Sequence, residues 1–196
     1  MPSPATQRPA RQDNRRQALL DAAAALFAER GYRATSMRDL AAAVGMLPGS
    51  IYYHFPSKDE LLVAVYAEGV TRIEARVRAA LAGTRSAWER LELACAAHLE
   101  SLLDGSAYAA VVVRVLPDDA PATRDALVAL RDRHEALFRE LVDALGLPGD
   151  AAARRALRLL LLGALNWVPL WYRPGGENPR AIAHRFIQLL IPGEPR

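Results

Sequence analysis

An all-α chain of about nine helices is what this sequence predicts, on three observations. Ala, Leu, Arg and Glu dominate its 196 residues, of which 52% are hydrophobic, and these are strong helix formers. Apolar residues recur at spacings of three and four. Helix-starting residues and helix-stopping glycines punctuate the chain at helical intervals. Strand signals are confined to Tyr108–Leu116, nine residues that would have no partner strand.

The elements follow in order. Residues 1–12, rich in Pro, Arg and Gln, read as a disordered basic arm. Asp13 or Asn14 can cap a first helix with the core face Leu19, Ala23, Leu26 and Phe27, stopped at Gly31. Ser36 and Asp39 have capping-box spacing for a second helix, and Gly45 makes the turn after it. Pro48 suits the first turn of a third helix, anchored by Ile51 and Phe55 and ended by Pro56. Ser57 and Glu60 open a fourth, running to about Ala82. Ser86 and Glu89 open a fifth, and Gly105 breaks it. The short stretch ending at Pro117 comes sixth. A seventh spans about Ala122 to Leu145. Asp150 caps an eighth reaching Tyr172, and Asn178-Pro179 opens a ninth to Leu190.

Charge and composition bound the function. Twenty-five basic against 22 acidic residues leave a net +3, which permits nucleic-acid binding without requiring it. Basic residues cluster early, at Arg8, Arg11, Arg15 and Arg16. A single cysteine, Cys95, excludes an intramolecular disulfide and fits a reducing cytoplasm. The first residues lack the apolar core of a signal peptide, and the apolar run Leu159–Tyr172 is too short for a membrane span. No phosphate loop, nucleophile elbow or metal-spaced His/Cys set is present, so neither an enzyme nor a cofactor is expected.

The functional signal lies in the first 60 residues. Two short helices joined by a tight glycine turn have helix-turn-helix spacing, whose second helix enters the major groove of DNA. With Ile51 and Phe55 inward, Gly49, Ser50, Tyr52, Tyr53 and His54 point outward. Tyrosines and a histidine beside Lys58 suit phosphates and thymine methyls. Lys58 sits at a helix N-terminus, which itself favours an anion. Arg15 and Arg16 stand ready for the backbone.

The stretch Gly31–Leu62, GYRATSMRDLAAAVGMLPGSIYYHFPSKDELL, resembles the DNA-binding module of the TetR family. It matches at Gly31-Tyr32, Thr35-Ser36, Leu40-Ala41, Val44-Gly45, Gly49-Ser50, Tyr52, His54-Phe55, Ser57-Lys58 and Leu61. The resemblance implies a homodimer that holds double-stranded operator DNA and releases it when a small molecule binds the C-terminal body. It implies phosphate contacts at Tyr53, His54 and Lys58, with Gly49 and Tyr52 on or near DNA. The DNA-binding candidates are therefore Arg15, Arg16, Thr35, Ser36, Pro48, Gly49, Ser50, Tyr52, Tyr53, His54 and Lys58. Leu47 departs from the Ser or Thr common there and is left out.

On this reading residues 13–60 form the DNA-binding domain and 61–196 the ligand-binding and dimerisation domain. The eighth helix is apolar nearly all round and must be covered on two sides. One stripe is Leu157, Leu160, Leu161, Ala164, Val168 and Trp171; Leu159, Leu162, Leu165 and Leu170 give the second side. Leu161, Val168 and Trp171, with Phe186 and Leu190, are candidates for the dimer interface. Pro169 should kink the helix. His98, Tyr108, Arg114, Asn166 and Trp167 are the ligand-binding candidates, each with a plainer reading: core histidine, core aromatics, a carboxylate partner for Arg114, a local network for Asn166. Cys95 reads as a small buried hydrophobe.

Asn166–Gly176 resembles the end of that helix in a TetR subgroup sensing acyl-CoA thioesters or lipid and steroid catabolites. This implies an acyl-CoA or hydrophobic effector. The alternatives are a regulator of efflux or detoxification sensing a drug-like ligand, and a helical adaptor that does not bind DNA.

Overall fold

The structure, a computed structural model, describes residues 8–83 and 86–190, with side chains from residue 14 onward. These residues are helical, without strands. The α-helices are α1 (Arg8–Arg30), α2 (Met37–Ala43), α3 (Lys58–Ala80), α4 (Ala87–Leu103), α5 (Ala107–Arg114), α6 (Arg124–Asp143), α7 (Ala151–Trp171) and α8 (Pro179–Leu190). The expected third helix is a 3-10 turn over Ser50–Tyr53, so the nine expected helices are eight plus that turn.

The expected caps form. Ser36 accepts from Asp39 N and Ser86 from Glu89 N, each with the reciprocal carboxylate bond of a capping box. Ser57 accepts from Glu60 N and Asp150 from Ala153 N. Asn178 Oδ1 accepts from Arg180 N at 2.9 Å. Tyr108–Leu116 is helical as far as Arg114; its valines pack sideways rather than pairing as a strand. The first helix starts at Arg8 instead of at Asp13 or Asn14. Ala10, Arg11 and Gln12 are good helix formers, and Pro9 falls within the first turn, where its missing N–H costs nothing. The first seven residues of the expected arm lie outside the described residues. Pro169 stands in the last turn of α7, which runs on only to Trp171.

Two apolar cores run through the chain. One joins Leu19, Phe27, Leu40 and Ile51 to Leu61–Val70 of α3, and then to Tyr108, Val111, Val115, Ala120 and Leu127. The other begins at Ile73 and gathers α4, the later part of α6, α7 and α8. The division falls within α3, between Val70 and Ile73. The N-terminal head is therefore packed onto α5 and the start of α6. Gly69 permits this. A Cβ there would lie 2.7 Å from Val112 Cγ2 and 2.9 Å from the Tyr108 carbonyl oxygen, so α3 and α5 approach at a distance only glycine allows.

The phase of α7 differs from expectation. Arg158, Leu161, Leu162, Leu165 and Val168 face the core, whereas Leu160, Trp167 and Leu170 are exposed. Leu161 and Val168 are thus not available to a partner chain. Phe186 and Leu190 are half-buried against the core, and Trp171 of the interface candidates is exposed. A helix apolar on two sides offers two burial choices, and periodicity alone does not rank them.

Candidate nucleic-acid interface and effector site

The head is built on a hydrogen-bonded joint. Gly31, at φ +87°, ends α1, and the chain turns through Tyr32–Thr35 into α2. Lys58, in the first turn of α3, donates from Nζ to the carbonyls of Tyr32 and Thr35, both at 2.9 Å. The ammonium also stands 4.3 Å from the Tyr32 ring centroid, and the Tyr32 hydroxyl donates to Asp59. Burial, then the bond to Asp59, pushes the Tyr32 hydroxyl pKa well above its usual value. Thr35 is 2% exposed and donates to the Gly31 carbonyl at 2.9 Å.

Two DNA-binding candidates are corrected by this joint. Thr35 is buried away from any duplex. Lys58 directs its charge inward, where two carbonyls of the turn between α1 and α2 attract it. Lys58→Met, which keeps the stem and deletes the ammonium, is expected to lower unfolding free energy by about 1–2 kcal/mol. The urea midpoint checks this: an unchanged midpoint with weakened DNA binding would return Lys58 to the phosphate-contact set.

The other candidates face outward. Arg15, Arg16, Ser36, Pro48, Gly49 and Ser50 are exposed, as are Tyr52 and Tyr53, at 52% and 74%. His54 is half-buried, its ring edge-on to Tyr53 with centroids 5.4 Å apart. The Arg16 guanidinium lies 4.9 Å from the Phe55 ring centroid. Arg15, Met46, Leu47 and Ser50 border a shallow cleft of about 310 Å³ between α1 and the glycine turn. Ile51 and Phe55 are buried beneath. Arg38, not among the candidates, shares this outward exposure. It stands on α2, two residues beyond the Ser36 cap.

In the body, the five ligand-binding candidates separate. His98 and Asn166 meet: His98 Nε2 is 2.9 Å from Asn166 Oδ1. An amide oxygen only accepts, so Nε2 carries the proton and Nδ1 is a bare acceptor. His134, not among the candidates, stacks on His98 with centroids 5.1 Å apart, and Phe138 closes the group edge-on to both rings. Nδ1 of His98 and both ring nitrogens of His134 are shielded from solvent and have no partner among the described residues. Burial, then the neighbouring His134, depresses the His98 pKa to about 3; burial, then Arg133, depresses that of His134 to about 4. Both rings are neutral near pH 7. The signal for His134 was in the sequence, since it stands on the Leu127, Leu130, Phe138, Leu141 stripe of α6.

Tyr108, Arg114 and Trp167 do not join them. Trp167 is 65% exposed, on the outer stripe of α7. Arg114 donates to the Ala28 carbonyl at 3.2 Å, so its partner is the end of α1 rather than a carboxylate or a ligand. Tyr108 is buried in the head's core, and its hydroxyl donates to Asp21 Oδ1 at 2.7 Å. Arg72, paired with Glu68 at 2.7 Å, lies 4.1 Å from the Tyr108 ring centroid. Tyr108 and Arg72 also line a cleft of about 440 Å³ at the junction of α3, α4 and α5, with Arg76 and Ser101. One side chain thus borders a body cleft and holds α1 of the head.

Comparison with known proteins finds two family models on the chain. Residues 19–65 match the profile described as bacterial regulatory proteins, tetR family. Residues 84–193 match the tetracyclin repressor-like C-terminal domain. The chain is 30% identical over 190 residues to the HTH-type transcriptional repressor KstR2 of Mycobacterium tuberculosis, covering 92% of this chain and 93% of that one. The solved structure of that protein, described as a ketosteroid transcriptional regulator, superposes with TM-score 0.69 at 28% identity, over 90% of this chain and 92% of the other. A structure described as the superantigen PfiT gives TM-score 0.74 at 34% identity, over 89% and 94%.

Proposed function

This chain belongs to the TetR family of bacterial regulatory proteins, and we propose that it is a homodimeric repressor whose operator is released by a small hydrophobic or acyl-CoA-type effector. It is a DNA-binding transcriptional regulator, as the KstR2 repressor it resembles is, and not an enzyme. Among the described residues no helix is long and apolar enough to cross a membrane. We place its work in the cytoplasm, beside the DNA it reads.

In this reading the head begins near residue 13 and carries the DNA contacts. Arg15, Arg16, Ser36, Arg38, Ser50, Tyr52, Tyr53 and His54 meet the duplex, with Pro48 and Gly49 shaping the approach. A dimer would set two such heads one turn of DNA apart, roughly 34–36 Å.

The observation that carries the effector reading is the neutral His98–His134 pair. A buried polar nitrogen left unpartnered costs about 1–3 kcal/mol, and three here lack a partner among the described residues. Neutral imidazoles offer a donor and acceptors to an uncharged oxygen group, such as a keto, hydroxyl or thioester oxygen on an apolar skeleton. The relative described as a ketosteroid regulator supports that chemistry. A cationic drug calls for buried carboxylates, and among the described residues none is buried. Occupancy is communicated through α5, where Tyr108 holds Asp21 and Arg114 holds Ala28. The effector shifts the head only by its differential affinity for the two states, commonly about 1–3 kcal/mol.

The test is binding of the purified dimer to its own upstream intergenic DNA, titrated with salt, then repeated with long-chain acyl-CoA and with a polycyclic ketone. Sequence-selective, salt-dependent binding released by either compound is expected. Failure to bind selectively there and across genomic fragments would overturn the reading.

The histidine pair also dictates a pH dependence. Unfolded histidines take up protons near pH 6.5, whereas the folded pair resists them until about 3 and 4. The stability they contribute is present above pH 6.5 and lost as pH falls toward those values, by roughly 2 kcal/mol per histidine at pH 5. His134→Phe deletes no hydrogen bond among the described residues. It should leave stability at pH 7.5 unchanged or higher, flatten the fall between pH 7.5 and 5, and abolish effector release. Urea unfolding at the two pH values reads the first two effects.

A further inference from the structure

Among the described residues of the head, three large hydrophobic side chains are exposed, and they fall within seven positions on its outward face: Leu47, Tyr52 and Tyr53. The tyrosines carry hydroxyls that can bond to phosphate. Leu47 has no polar atom on its side chain, yet it is the most exposed of the three, at 77%. One exposed leucine is ordinary on a protein surface; its position is what singles this one out.

Ser50 N donates to the Leu47 carbonyl at 2.9 Å, so Leu47 opens the bonded turn that carries Ser50, Tyr52 and Tyr53. The opening residues of a recognition helix are the ones that meet base edges in the major groove. Leu47 also borders the cleft shared with Arg15 and Ser50, beside the arginine that holds the phosphate backbone in the reading above. Gly49 adds a second observation. Its backbone is right-handed, φ −73°, and a Cβ there would meet nothing within 4 Å, so no described part of the chain requires glycine. Glycine in such a place lets the backbone approach a ligand closely, and a duplex brought that near to Gly49 covers Leu47 as well.

We infer that Leu47 is a specificity-determining residue, packing on the C5-methyl of a thymine in each operator half-site. This rests on the operator-binding reading and adds the base chemistry that one residue reads. In the pattern that base pairs present to the major groove, the thymine methyl is the one apolar group. The other features are hydrogen-bond donors and acceptors, which a leucine side chain cannot engage. The sugar is also apolar in part, but it is the same at every base pair, and a contact on it carries no sequence information. A methyl contact and a sugar contact therefore differ in what the operator sequence does to affinity.

The experiment titrates the full chain at fixed salt against the operator footprinted in its upstream intergenic DNA. Each thymine is replaced in turn by deoxyuridine, which deletes the methyl and keeps the base pair. Wild-type protein should bind ~3–10-fold more weakly at one replaced position in each half-site, as for one buried methyl group. Leu47→Ala removes an exposed side chain, so circular dichroism should be unchanged. It should bind the unmodified operator more weakly by a similar factor and lose the discrimination at that position alone, the pattern of a coupled pair in a double-mutant cycle. Tyr52→Ala, weaker on every operator, should retain it there. Wild-type binding indifferent to every deoxyuridine, or full discrimination kept by Leu47→Ala at every position, would overturn the inference while the regulator reading stands. Failure to find any selectively bound DNA would overturn the regulator reading and this inference with it.

Discussion

Gly69→Val is expected to lower the unfolding free energy by about 3 kcal/mol, near the upper end for overpacked cores. The first side-chain atom would lie 2.9 Å from the Tyr108 carbonyl. That atom belongs to the backbone of α5, so no rotamer change relieves the clash and the helix itself must move. Gly69→Ala should lose less, because alanine's helix propensity returns up to ~1 kcal/mol. The functional effect should exceed the stability effect. Displacing α5 pulls Tyr108 from Asp21 and Arg114 from Ala28, the bonds that join the body to α1. Operator affinity and effector response should both fall in Gly69→Ala, which still folds. Urea denaturation with salt-controlled DNA titration checks this; a Gly69→Val midpoint close to wild type would mean that α3 and α5 are not rigidly apposed.

The second large effect belongs to the recognition turn. Tyr52→Ala/Tyr53→Ala should weaken operator binding by ~100-fold or more, since contacts on both phosphate and base edges would go together. The fold should barely change. Both rings are largely exposed, and surface substitutions commonly fall within about 0.5 kcal/mol. Fluorescence anisotropy on the operator at several salt concentrations reads the loss. Arg15→Ala in the same assay should reduce the salt slope by about one unit, as for one phosphate contact. Full-strength binding by the double variant would remove the tyrosines from the interface.

The site was partly legible for identifiable reasons. Tyr52, Tyr53 and Ser50 were read as outward because Ile51 and Phe55, four apart, fix which side of a single turn faces inward, and Arg15 was read from the basic cluster at the start of the first helix; the structure exposes all four. Lys58 was assigned outward from its place at a helix N-terminus as well as by resemblance, and Thr35 with the matched motif, yet a lysine at a helix N-terminus can turn to carbonyls 23 and 26 residues away, and no local pattern announces that choice. The recognition segment tightens to 3-10 geometry because Pro48-Gly49 and Pro56 leave room for one turn only. His134 was passed over because it was weighed for metal spacing instead of for its place on an apolar stripe.

What the sequence determined by itself is what acts over one helical turn. Ser36 with Asp39, Ser57 with Glu60, Ser86 with Glu89 and Asp150 with Ala153 set the helix starts, and Gly31 and Gly146 the stops, because each bond joins residues three or four apart. Their succession, with the Gly31–Leu62 motif, was enough for fold class and family. Only the tertiary structure decided which apolar side of α7 is core, that the head's core runs through α3 into α5, and that Tyr108 and Arg114 hold α1. Those outcomes depend on contacts between residues far apart in the chain, from 46 residues for Tyr66 with Val112 to 87 for Tyr108 with Asp21. The competing burial choices have nearly equal hydrophobicity, so shape complementarity between whole helices, absent from any local window, settles them.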